Sequence, residues 1–205
     1  MKKAFYQIEE SKRLKIIEEA MIVFSEESFD NASLNKIIKA ACISKGGLFK
    51  YIDNKKDLYL FLVERVIDQL LEHQNNMINY DNDDYFYRVK SLIESGLDYY
   101  SDKPLNYRFI MNVFYDVNSS VYSDTTNLRQ EKLMSFNFTS GVNFDTFRYP
   151  KKVITVTHAL VEGFNIQLIK NIKAKENFSE FRSILLNEFF DSLDIIERGV
   201  EYVEL

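Results

Sequence analysis

Apolar residues early in the chain recur at helical spacing and stop at polar breaks. Ile17, Ala20, Met21 and Phe24 fall at i, i+3, i+4 and i+7, one face of a helix. The polar run SEESFDNA ends it, and Phe29 inside that run is expected to be buried. Ser33 stands at an N-cap position before Leu34, Ile37, Ile38 and Ala41, which repeat the spacing and predict a helix over 34–41. Cys42 and Ile43 make a turn. Ser44 is a second N-cap, before a helix predicted over 45–52 with Leu48 and Ile52 inward. Asp53 and Asn54 break the chain. A long helix follows over 55–77, apolar on two sides, with Leu58, Phe61 and Leu62 early, then Val63, Ile67, Leu70 and Leu71. Two apolar faces predict a helix that joins two packed bodies.

The later pattern predicts helices over 84–100, 104–117 and 121–138, with Pro104 suited to a helix start. Residues 137–150 read as a loop. Two strong helices, 150–172 and 178–200, close the pattern. In the last, Phe181, Leu185, Phe189 and Ile196 form one apolar stripe and Leu186, Phe190 and Leu193 a second. Two stripes per helix exceed what one protomer's core needs.

Composition agrees with an all-α fold. Gly (6) and Pro (2) are too few for a turn-rich β fold, and hydrophobic content of 46% supports a real core. One cysteine excludes an internal disulfide and fits a reducing compartment, so a cytoplasmic location is expected. The first fifteen residues lack the apolar region of a signal peptide, and no stretch is apolar enough to span a membrane. The net charge of −5 argues against a generic nucleic-acid binder, but its distribution does not. Six lysines and one acid, Asp53, lie between Lys36 and Lys56. That is either a solvated surface or the basic patch of a small DNA-reading module on an acidic body.

Three short helices, the second and third joined by a tight turn, are helix-turn-helix geometry. The stretch IIEEAMIVFSEESFDNASLNKIIKAACISKGGLFKYIDNKKDLYLFLV, residues 16–63, resembles the N-terminal domain of TetR-type transcriptional regulators. Three positions depart from the family pattern: Cys42 where the turn usually holds Gly, Gly47 where Thr or Ser is common, and Phe49 in place of the first residue of an aromatic pair. The resemblance implies a DNA-binding domain over 1–54 and an effector-binding and dimerisation domain over 55–205.

In a helix-turn-helix, the start of the third helix meets base edges in the major groove. Gly46 and Gly47 would each weaken that helix by about 1 kcal/mol, and each lets backbone approach DNA closely. Expected DNA contacts are Ser44, Lys45, Gly46, Gly47, Phe49 and Tyr51, with Ser33, Lys50 and Lys55 on phosphates. The resemblance also implies a homodimer through the last two helices, with Val161, Phe164, Leu168, Leu185, Phe189 and Leu193 as seam candidates. The aromatic residues of 85–149 either line a cavity for an apolar or aromatic effector or fill a core. Pocket candidates are Tyr99, Tyr107, Phe109, Phe114, Tyr115 and Phe136. His73 and His158 lack metal-spaced partners, and Cys42 reads as a small core residue rather than a redox sensor. No catalytic set and no cofactor is expected. The expected activity is a ligand-responsive repressor on a palindromic operator. The alternative is a helical ligand carrier with a degenerate head, which Cys42, Gly47 and Phe49 would favour.

Overall fold

The structure, a computed structural model, describes residues 1–172 and 178–200, with side chains placed except over 168–172, 178–181 and 200. Ten helices and no strands occur among the described residues: α1 Lys3–Tyr6, α2 Glu10–Glu26, α3 Leu34–Ala40, α4 Lys45–Phe49, α5 Lys55–Met77, α6 Tyr85–Asp102, α7 Pro104–Tyr115, α8 Tyr122–Ser135, α9 Pro150–Ile172 and α10 Phe178–Val200. The all-α reading holds. α1 has no periodicity to announce it, and it forms around one fully buried side chain, Phe5.

The chain packs as two units. The first comprises residues 1–72 and 102–136, so α7 and α8 share a unit with the helix-turn-helix. α2 buries Ile16, Ile17, Ala20, Met21, Val23 and Phe24. Tyr59 of α5 is the centre of an aromatic cluster, with ring centroids 4.9 Å from Phe24, 4.9 Å from Phe29 and 5.7 Å from Phe109 of α7. Such rings bring large buried area and favourable edge-to-face geometry. Polar ties close the same unit. Asn112 Nδ2 donates to the Ser25 carbonyl, Lys56 pairs with Asp124 at 2.7 Å, and Lys132 sits 2.8 Å from both Glu64 and Asp68. The Asp68 and Glu64 carboxylates hold the Lys132 pKa above the usual lysine value.

The second unit comprises 73–101 and the residues from 137 on. Its interior holds an arginine. Arg88 is fully buried and donates to four backbone carbonyls: Nε to Asn82, Nη1 to Phe138 and Ser140, Nη2 to Tyr80. The segment before α6 and the loop after α8 are thereby fastened to one side chain. That loop turns at Gly141, whose φ of +75° suits glycine. Around it Tyr85, Phe86, Phe144 and Phe147 form ring contacts of 5.4–6.1 Å.

α9 and α10 pack on each other, with Phe164 and Phe189 rings 4.9 Å apart. Phe164, Leu185, Phe189 and Leu193 are all buried within the single chain. Leu185, Leu186, Phe189 and Leu193 of α10 are therefore taken up by the protomer's own core, which corrects the expected place of Phe164, Leu185, Phe189 and Leu193 at a subunit seam. Val161 is half-buried, and Leu168 lies outside the described side chains. The apolar residues these helices leave exposed are Ile154, Val156, Ile166, Ile184 and Ile195.

Candidate DNA-binding face

The helix-turn-helix is built by caps. Ser33 Oγ accepts from the Asn35 N–H at 3.2 Å and starts α3. Ser44 Oγ accepts from the Gly47 N–H at 3.0 Å and starts α4. Both N-caps stand where the sequence predicts them. Between them, the Cys42 N–H donates to Lys39 O and the Ile43 N–H to Ile38 O, the paired bonds of a Schellman motif. That motif needs a left-handed residue, and Cys42 supplies it with φ of 55°. Its side chain is exposed. The expectation of a small core residue is corrected: the turn that closes α3 turns this position outward.

α4 spans only Lys45–Phe49, and Leu48, Tyr51 and Ile52 are buried beneath it. Ser44, Lys45, Gly46 and Lys50 are exposed together, while Ser33, Gly47 and Phe49 are half-exposed. The two glycines differ. A Cβ on Gly47 would stand 3.1 Å from Ser44 Oγ, so this position is small because the cap needs room. A Cβ on Gly46 would meet nothing within 4 Å. The chain therefore forgoes about 1 kcal/mol of helix propensity at Gly46 with no internal contact to require it.

Two expected DNA contacts have other duties. Tyr51 is buried, its ring 5.9 Å from Phe5. Its side chain belongs to the core, because the chain has left α4 by that residue. Lys55 Nζ donates to Phe29 O at 2.6 Å and Ala32 O at 2.9 Å and lies 4.5 Å over the Phe29 ring. Its ammonium closes the α2–α3 loop and is not a free phosphate ligand. Lys39 of α3, within the lysine run of 36–56, is also exposed.

The pocket candidates do not form one group. Phe109 is core, against Tyr59, and Tyr107 is buried in the same unit. Phe114 is half-buried with the Arg129 guanidinium 4.9 Å over its ring, and Tyr115 and Phe136 are half-buried. Tyr99 belongs to the second unit and is buried, 5.6 Å from the His73 ring. The His73 Nε2 is buried without a hydrogen-bond partner. His158 is exposed. No helix among the described residues is long and apolar enough to cross a membrane.

Residues 16–61 match the family described as bacterial regulatory proteins, tetR family. An HTH-type transcriptional regulator of Staphylococcus aureus is 23% identical over 89% of this chain and 94% of its own length. The biofilm operon icaADBC HTH-type negative transcriptional regulator IcaR of Staphylococcus aureus is 28% identical over 43% of this chain and 45% of its own. In fold, the chain is similar to a TetR family transcriptional regulator from Chloroflexus aurantiacus, with a TM-score of 0.71, 20% identity and coverage of 98% and 99%. The capped helix-turn-helix thus matches the tetR family of bacterial regulatory proteins over residues 16–61, and the fold over nearly the whole chain is similar to that of a TetR family transcriptional regulator.

Proposed function

We propose that this protein is a transcriptional repressor that binds a palindromic operator as a homodimer and is released by a small apolar or aromatic effector. One observation carries the reading. Gly46 sits at the exposed start of α4 with open space where a side chain would be. A backbone kept bare against solvent, flanked by exposed Ser44, Lys45 and Lys50, is suited to close approach by a duplex. Residues 1–54 supply that head, and 55–205 the effector-binding and dimerising part. The repressor sense is supported by IcaR, a negative regulator 28% identical to this chain over 88 residues.

The subunit seam is assigned to the apolar residues left exposed on α9 and α10. Ile184 and Ile195 lie eleven residues apart, three turns along one face of α10. Two heads joined there would read half-sites about 34–36 Å apart. The effector acts by binding the DNA-incompetent arrangement more tightly, since only differential affinity shifts an equilibrium.

The test is selection of duplexes from a random pool by the full-length protein. An inverted repeat with half-sites one helical turn apart is the expected product. Recovery of no sequence above background would overturn the reading in favour of a ligand carrier without DNA recognition.

A further inference from the structure

The recognition helix is held at its exit by residues from the other end of the head. α4 has five residues, two of them glycine, and offers little propensity of its own. The Gly47 and Leu48 carbonyls are met by backbone N–H groups of residues 50–52. Lys2 serves the next carbonyls along the exit, those of Phe49 and Tyr51. The Lys2 backbone N–H donates to Tyr51 O at 2.8 Å, and its Nζ donates to Phe49 O at 3.0 Å. The same ammonium pairs with Asp53 at 2.7 Å. Phe5 anchors the segment, fully buried with its ring 5.9 Å from Tyr51 and 5.5 Å from Phe61 of α5. One residue is thus tied to positions 49, 51 and 53, which are the whole path out of α4.

We propose that Lys2 is a positioning residue for DNA recognition, acting through the Phe49 carbonyl and the Asp53 carboxylate and not through the duplex. This rests on the reading of α4 as a recognition helix. A cation at a helix C-terminus is favourable for the exposed carbonyls, and a charge-assisted hydrogen bond fixes direction as well as position. Without it, the short helix samples more orientations. A recognition helix populated only in part binds with affinity reduced by that fraction.

The experiment uses the full-length chain with Lys2→Ala, Lys2→Gln and Lys2→Arg, and duplexes selected by the wild-type protein. Lys2→Ala should lower affinity about tenfold, the worth of one charge-assisted hydrogen bond. Its log–log salt slope should match the wild type, because no phosphate contact is lost. Lys2→Arg should restore affinity. Lys2→Gln, which keeps a donor without the charge, should fall between the two and serves if Lys2→Ala folds poorly. Amide exchange at Lys50, Tyr51 and Ile52 should quicken in Lys2→Ala while α9 and α10 are unchanged. A salt slope shallower by about one would make Lys2 a direct phosphate ligand and overturn the proposal. So would unchanged affinity in Lys2→Ala. Exchange is measured without DNA, so a wild type that selects no duplex would sink the DNA-binding reading while this arm still judged the clasp.

Discussion

The carboxylate of Asp30, in the α2–α3 loop, accepts both the backbone N–H and the hydroxyl of Ser120, in the α7–α8 loop ninety residues on. Within the first unit this pair ties the entry of the helix-turn-helix to the segment between α7 and α8. The Lys56–Asp124 and Lys132–Glu64/Asp68 ion pairs fasten α8 to α5 in the same unit. A displacement of α7 or α8 would therefore be felt at the α2–α3 loop as well as along α5.

The Ser120 hydroxyl and N–H lower the Asp30 pKa from its ordinary value. A carboxylate whose pKa is lower when folded contributes stability above its unfolded pKa, about 3.9, and loses it as pH falls through the folded value. Asp30→Asn, which cannot ionise, should be less stable than wild type at pH 7 and converge with it as pH falls below the folded value. Melting temperatures of both proteins across that range check this. A difference that stays constant with pH would mean the charge of Asp30 contributes nothing.

Cys42 holds a left-handed backbone conformation, which costs an L-residue about 1–2 kcal/mol. Its side chain is exposed, so little packing is lost by removing it. Cys42→Gly should raise stability by about 1 kcal/mol, and the melting temperature by about 2–4 °C for a chain of this size. Denaturant unfolding measures the gain directly. A loss of stability would show that the thiol contributes more than the backbone costs.

Arg88 donates to four backbone carbonyls at once, those of Tyr80, Asn82, Phe138 and Ser140, and no shorter side chain can reach them together. Arg88→Met should cost about 3 kcal/mol or more by leaving buried carbonyls unpaired. Arg88→Lys should recover little, because one ammonium cannot span the fork's geometry. Urea unfolding of the two variants decides. A Met variant within about 0.5 kcal/mol of wild type would show that water replaces the guanidinium.

Local signals made the head legible in advance. Ser33 and Ser44 announce two caps, and the repeated i, i+3, i+4, i+7 pattern gives α2 and α3 their faces. Long-range polar ties leave no such trace. Lys2 reaches Phe49 across 47 positions, and Arg88 reaches Phe138 across 50, each by a side chain that reads locally as surface charge. Cys42 reads as core, a small apolar residue between two helices, yet the Schellman geometry at the end of α3 turns it to solvent. On α10 the two stripes suggested two different partners, yet Leu185, Leu186, Phe189 and Leu193 are all consumed inside one chain.

That burial separates two substitutions on α10. Phe189→Ala should cost about 3–5 kcal/mol by opening a cavity beside Phe164, and so should destabilise the fold itself. Ile195 is 74% exposed, so Ile195→Asp should leave protomer folding within about 0.5 kcal/mol and weaken only association. Sedimentation equilibrium reads the two apart. An Ile195→Asp protein that stays as dimeric as wild type would place the seam elsewhere.

Gly46 bears the central claim. Gly46→Ala fills empty space and restores helix propensity, so it should raise stability by up to about 1 kcal/mol while weakening binding to selected duplexes. Gly46→Leu should keep the fold and lose at least about a hundredfold in affinity, because its side chain would stand between backbone and base. Fluorescence anisotropy with a labelled selected duplex, alongside thermal unfolding of the same samples, measures both quantities. Stability retained with affinity lost is the predicted result. Full affinity in Gly46→Leu would contradict the assignment of α4 as the element that meets DNA.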